Sequence, residues 1–133
     1  MDDTSTTHRR NLLLWSLQAL AQPADVQVRL FPDFVSKADE LALDFDSAYR
    51  SARHVADIVP TNLQKDALDA IDAKLAGFSG ESNAALWTES ALAREPIWQE
   101  VRSLAKRALD AFNWSLGPPP FEPKDRGSTY VRG

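Results

Sequence analysis

Residues 38–59 read ADELALDFDSAYRSARHVADIV, and within them Ala38, Leu41, Phe45, Ala48, Ala52, Val55 and Val59 follow one another at spacings of 3, 4, 3, 4, 3 and 4. At about 3.6 residues per turn, this rhythm keeps one stripe of an α-helix apolar over about six turns. Ala42, Tyr49 and Ala56 widen the stripe on one flank. The alanines let a neighbouring helix approach closely, and Leu41 and Phe45 fill the space beside them. Ser36 with Asp39 resembles a capping box at the start of this helix, and Pro60 ends it.

Working outward from this seam, the same periodicity recurs. Thr61 and Gln64 form a stronger capping box for a following helix with Leu63, Ala67, Leu68, Ile71 and Leu75 on its buried face. Gly77 is placed to close that helix in the left-handed conformation. Residues 80–84 read as a loop and 87–93 as a short helix. Pro96 suits the first turn of a last helix lined by Ile97, Val101, Leu104, Ala105, Ala108, Leu109 and Phe112. Upstream, residues 8–21 predict a helix with Leu13, Leu17 and Leu20 on one face, stopped by Pro23. Residues 1–7 are polar and expected to fray. In residues 24–35, Val26, Val28 and Leu30 alternate with polar neighbours in a strand rhythm. With no partner strand in the chain, an extended loop is expected there, with Phe31, Phe34 and Val35 plugging the end of a bundle.

The fold class that follows is all-α: a single domain over residues 1–117, built as a bundle of four main helices plus one short helix. A proline-led tail over residues 118–133 completes the chain, with Phe121 and Tyr130 as possible anchors if it straps across the bundle. At 133 residues the chain is long enough to bury a core without staples. It has no cysteine, which removes disulfides, thiolate catalysis and cysteine metal sites together and fits a reducing cytoplasm. His8, Arg9 and Arg10 before Leu12, followed by Ala19-Leu20-Ala21, imitate a secretory signal. Asp2 and Asp3 at the start, and Asn11, Ser16 and Gln18 within the apolar run, argue for an ordinary amphipathic helix instead. No stretch has the roughly 18 apolar residues of a membrane span.

The charge is uneven. Residues 33–81 hold ten acids and five bases, whereas residues 94–133 hold five acids and seven bases. A net charge of -4 disfavours nucleic acid, which needs a basic face. An acidic middle suits a partner with a basic surface. Arg102, Lys106 and Arg107, with Arg94 upstream, form a basic row on the last helix, but Glu95, Glu100 and Asp110 interleave with it. That row reads as a complement to the helix dipole rather than a phosphate track.

Little in the chain points to catalysis. Gly-x-Ser-x-Gly, Walker and Gly-x-Gly-x-x-Gly motifs are absent. His54 precedes Asp57 by three positions, a spacing that could orient an imidazole, but no nucleophile accompanies it. Asp39, Glu40, Asp44 and Asp46 crowd a turn and a half of helix, yet the Glu-x-x-His pattern of bundle metal sites is missing. No cofactor and no metal are implied. The function expected is therefore binding to another protein, as an adaptor, regulatory subunit or toxin-neutralising partner. Asp39, Glu40, Asp44 and Asp46 steer that partner, and one of Trp87 and Trp98 anchors it. The alternatives are a homodimer formed through the seam or, further off, a metal-dependent enzyme using the same acids and His54.

Overall fold

A computed structural model describes residues 3–120. Six α-helices and one 3-10 segment make up the fold: α1 (Asp3–Ala21), α2 (Ala24–Arg29), α3 (Lys37–Ala52), α4 (Asn62–Gly77), the 3-10 segment (Glu81–Trp87), α5 (Glu89–Arg94) and α6 (Pro96–Ala111). The four long helices are α1, α3, α4 and α6. Helix α1 packs along both α3 and α6, and α4 packs along α6. The helices therefore run in the spatial order α3, α1, α6, α4, and α3 meets α4 at only a few points. No helix among the described residues is long and apolar enough to cross a membrane.

The seam forms the interior face of α3. Ala38, Leu41, Phe45, Ala48 and Ala52 are all buried. On α1, Leu13, Leu17 and Leu20 are completely buried, and α6 contributes Val101, Ala105, Ala108 and Leu109. Each fully buried large apolar side chain is worth about 1.5–3 kcal/mol. The seam is spent inside the bundle against α1, so a dimer built by seam-to-seam pairing finds no free surface there. The Thr61 capping box is present, with Thr61 Oγ1 accepting from the Gln64 amide at 3.2 Å and Gln64 Oε1 from the Thr61 amide at 3.1 Å. Pro96 occupies the first turn of α6.

Several elements differ from the sequence reading. Helix α3 stops at Ala52 rather than near Val59. Continued straight, it would turn Ile58 away from the core. The tight turns of residues 53–59 instead bury Ile58 and Val59 together, and Arg10 donates to the Asp57 carbonyl at 3.1 Å to hold them. Helix α1 begins at Asp3, five residues earlier than expected, with Ser5 and Thr6 half-buried. Ser36 makes no side-chain cap; the neighbouring Lys37 ammonium donates to the Asp33 carbonyl at 2.9 Å instead. Gly77 does not take the left-handed conformation. Phe78 ends α4 instead, and the positive φ of this stretch, 102°, falls at Gly80, just before the 3-10 segment. The expected loop at 80–84 is part of the 3-10 segment, and the short helix begins after Thr88, whose hydroxyl accepts from the Ala91 amide at 3.0 Å.

The largest correction lies in residues 24–35, where the strand-like alternation gives way to α2. Gln27 is the reason. Its side chain is completely buried and donates to the carbonyls of Ala19 and Leu20, both at 3.1 Å, satisfying the open C-terminal end of α1. Arg102 completes the arrangement from α6. It is buried rather than part of an exposed basic row. It donates to the Gln22 carbonyl and to Gln27 Oε1, both at 3.1 Å, and to the Leu92 carbonyl. Burial pulls its pKa down. A lone guanidinium is tolerated here because the carbonyls at the ends of α1 and α5 carry negative partial charge.

After α6 the chain runs back over α1. Gln18 Nε2 donates to the Ser115 carbonyl at 3.1 Å, and Gln22 Nε2 to the Leu116 carbonyl at 2.9 Å. Gly117, at φ 92°, lies so close that a Cβ there would come within 3.0 Å of the Gln18 side chain. Pro119 is buried, so the start of the proline-led segment is docked. The remainder of the predicted tail, including Phe121 and Tyr130, lies outside the described residues.

Candidate functional site

The loose meeting of α3 and α4 leaves a groove on the surface, and the aromatic residue that lines it, Trp87, rests on a buried aromatic cluster. Phe78 follows the end of α4 and is buried. The left-handed Gly80 then reverses the chain into the 3-10 segment, which returns Trp87 to Phe78. The two rings stack with centroids 4.9 Å apart, and the Trp87 indole N–H donates to the Phe78 carbonyl at 2.8 Å. Trp98 stands edge-on to both rings, at 5.3 Å from Trp87 and 5.2 Å from Phe78. Its own N–H donates to the Leu86 carbonyl at 2.7 Å. Every polar handle in the cluster is used internally, which fixes the rings.

Trp98 is 0% exposed. It supports the cluster from beneath and has no surface to offer a partner. Trp87 is half-buried and lines a groove of about 590 Å3. Asp39, Ala42 and Leu43 of α3 form one wall. Ser79, Gly80, Glu81 and Ala84 complete the lining with Trp87. The Leu43 side chain is 58% exposed, unusual for a large apolar residue in mid-helix.

The four predicted acids do not form one patch. Helix geometry places Asp39 and Asp46 on the flank of α3 that faces α4, and Glu40 and Asp44 on the opposite flank. Asp46 is matched by Arg50 at 3.0 Å, a bond that raises the Arg50 pKa. Asp39 lies on the groove and, among the described residues, has no ion-pair partner. Glu40 and Asp44 are half-buried. The structure therefore places Asp39 and Trp87 on one groove, with Trp98 buried against Trp87 beneath it, and sets Glu40, Asp44 and Asp46 outside the groove lining.

Sequence reasoning missed Leu43, Gly80, Glu81 and Ala84 as groove residues. Leu43 did carry a signal, being a large apolar side chain opposite the seam on an otherwise polar face. The other three owe their place to the reversal at Gly80, which local pattern does not encode.

Further along α3 a second hollow of about 370 Å3 is lined by Tyr49, Arg50, Arg53, His54 and Asp72. Between α3 and α4 stands an ion-pair network. Arg53 holds Asp69 with two bonds, of 2.7 and 2.9 Å, and the Tyr49 hydroxyl donates to the same carboxylate at 2.6 Å. The Arg53 bonds are the main reason the Asp69 carboxyl is held down at about 2. Burial, with Asp69 beside it, pushes the Tyr49 phenol up. Arg53 Nη1 also donates to His54 Nε2 at 2.9 Å, since a guanidinium can only donate. That contact occupies a ring nitrogen a general base would use, and no hydrogen bond links His54 to Asp57 among the described residues. Nor do three His, Asp or Glu side chains converge there in a manner that could hold a metal ion.

Compared with known protein families, characterised proteins and solved structures, the chain shows no match to any of them.

Proposed function

We propose that this protein is a non-catalytic interaction module that binds another protein through the groove between α3 and the Trp87 segment. One observation carries the reading: Asp39, an exposed Leu43 and the rigid ring of Trp87 line a single hollow. Exposed apolar surface beside fixed aromatic rings supplies affinity, because little side-chain entropy is lost on docking. An unmatched carboxylate at the rim supplies orientation and rate. Adaptor, regulatory subunit and neutralising partner all fit this description. A cysteine-free composition fits work in the cytoplasm.

The test is affinity capture from a lysate of the source cells, with Leu43→Glu as the control. Leu43 is exposed, so the variant keeps the fold. A stoichiometric protein captured by the parent and lost by Leu43→Glu is the expected result. Nothing captured at low salt, or a protein captured equally by both, would overturn the reading.

A further inference from the structure

The occupant of the groove can be narrowed from the shape and charge of the surface around it, on the premise that the groove is an interaction site. The two hollows lie one after the other in the valley between α3 and α4. In each, residues of α3 or of the turn after it stand on one side and α4 or its continuation on the other, rising from Asp39 to His54 on the first side and descending from Glu81 to Asp72 on the second. From Asp39 to the end of α3 at Ala52 the valley is about 20 Å long at the rise of an α-helix. That matches about four turns of a docked helix.

Its charge balance is acidic. Arg50 pairs with Asp46 and also acts on Asp72, Arg53 pairs with Asp69, and Lys65 stands near Asp69. The carboxylates Asp39, Asp46, Asp69, Asp72 and Glu81 outnumber these three cations and leave the valley net negative. At the groove end, Ala42, Gly80 and Ala84 are small and allow close approach, while Leu43 and Trp87 provide apolar contact. No strand is present among the described residues, so there is no sheet edge for an extended peptide to join.

We infer that the α3–α4 valley docks a basic amphipathic helix of about four turns. Its apolar face rests on Leu43 and the Trp87 ring, and its lysines or arginines lie beside Asp39, Asp72 and Glu81. Ion pairs at the rim fix its direction, and the apolar contact supplies the affinity.

The probe is a display library of helical peptides of about 16 residues, randomised at apolar and charged positions and selected on the full chain. The expected winners carry apolar residues at i, i+3 or i+4, and i+7, flanked by Lys and Arg. Their binding falls by about tenfold on the double variant Asp39→Lys/Glu81→Lys, falls similarly on Leu43→Glu, and weakens with added salt. Winners that are neutral or acidic, winners indifferent to these variants, or no winners at all would overturn the inference. Failure here combined with a captured protein that Leu43→Glu loses would leave the interaction module standing with a different occupant. Failure of both experiments would remove the module itself.

Discussion

The Arg53 guanidinium clasps the Asp69 carboxylate through Nε at 2.7 Å and Nη2 at 2.9 Å, and it does so where α3 and α4 otherwise barely touch. The Tyr49 hydroxyl bonds the same carboxylate at 2.6 Å. Three side chains thus span the valley and set its width. The groove beside Trp87 stays open because this bridge ties the helices further along rather than packing them together.

A pH dependence follows from that bridge. The Asp69 carboxyl sits at about 2 in the folded protein, against 3.8 for an unperturbed aspartate. A depressed value contributes stability that is complete above the unfolded value and is lost as pH falls through the folded one. Asp69 is 34% exposed, so solvent screens the pair and the effect is modest. Asp69→Asn is expected to lower the melting temperature by a few degrees at neutral pH. Its deficit relative to the parent narrows from about pH 4 to about pH 2, as the parent loses the charge too. A deficit constant across that range would remove the ion pair from the account.

The buried Arg102 leads to the second prediction. It satisfies two backbone carbonyls and Gln27 Oε1, joining α6 to the ends of α1 and α5 and to α2. Arg102→Ala strands buried acceptors and leaves a cavity, at a cost of about 2–4 kcal/mol in denaturant titration. Arg102→Met restores most of the volume but none of the donors, so it recovers only part of the loss. Full recovery by methionine would mean that packing alone matters at this position.

How much of this was legible in the sequence depends on whether a residue's role is local. The seam from Ala38 to Ala52, the Thr61–Gln64 capping box and the apolar face of α6 are written in spacing, and periodicity finds them. Gln27 and Arg102 are different. Each looks like a surface residue by type, and each is buried only because distant helix ends present open carbonyls to it. The alternation of Val26, Val28 and Leu30 therefore pointed to an extended segment where a tertiary hydrogen bond makes a helix. The groove was half legible. Asp39 and Trp87 stood out by type, whereas their meeting depends on the chain reversal at Gly80. Trp98 shows the limit of composition: a large aromatic signals burial or binding equally, and here its ring underpins Trp87.

The end of α3 offers a third prediction that separates the observed fold from an uninterrupted helix. On a helix continued to Val59, Ala48 and Ala56 would both adjoin the apolar stripe. In the fold, Ala48 is 3% exposed on α3, while Ala56 lies in the turn beyond Ala52 and is exposed. Ala48→Leu forces three extra carbons into a filled interior and is expected to cost about 1–3 kcal/mol. Ala56→Leu has open space around it and is expected to stay within about 0.5 kcal/mol of the parent. Denaturant midpoints of the two variants, measured side by side, decide the matter. Equal and large losses at both positions would mean that α3 runs on and that Ile58 is not buried by a turn. A loss at Ala48 alone places the close helix contact on the first four turns of the seam, where α1 lies against it.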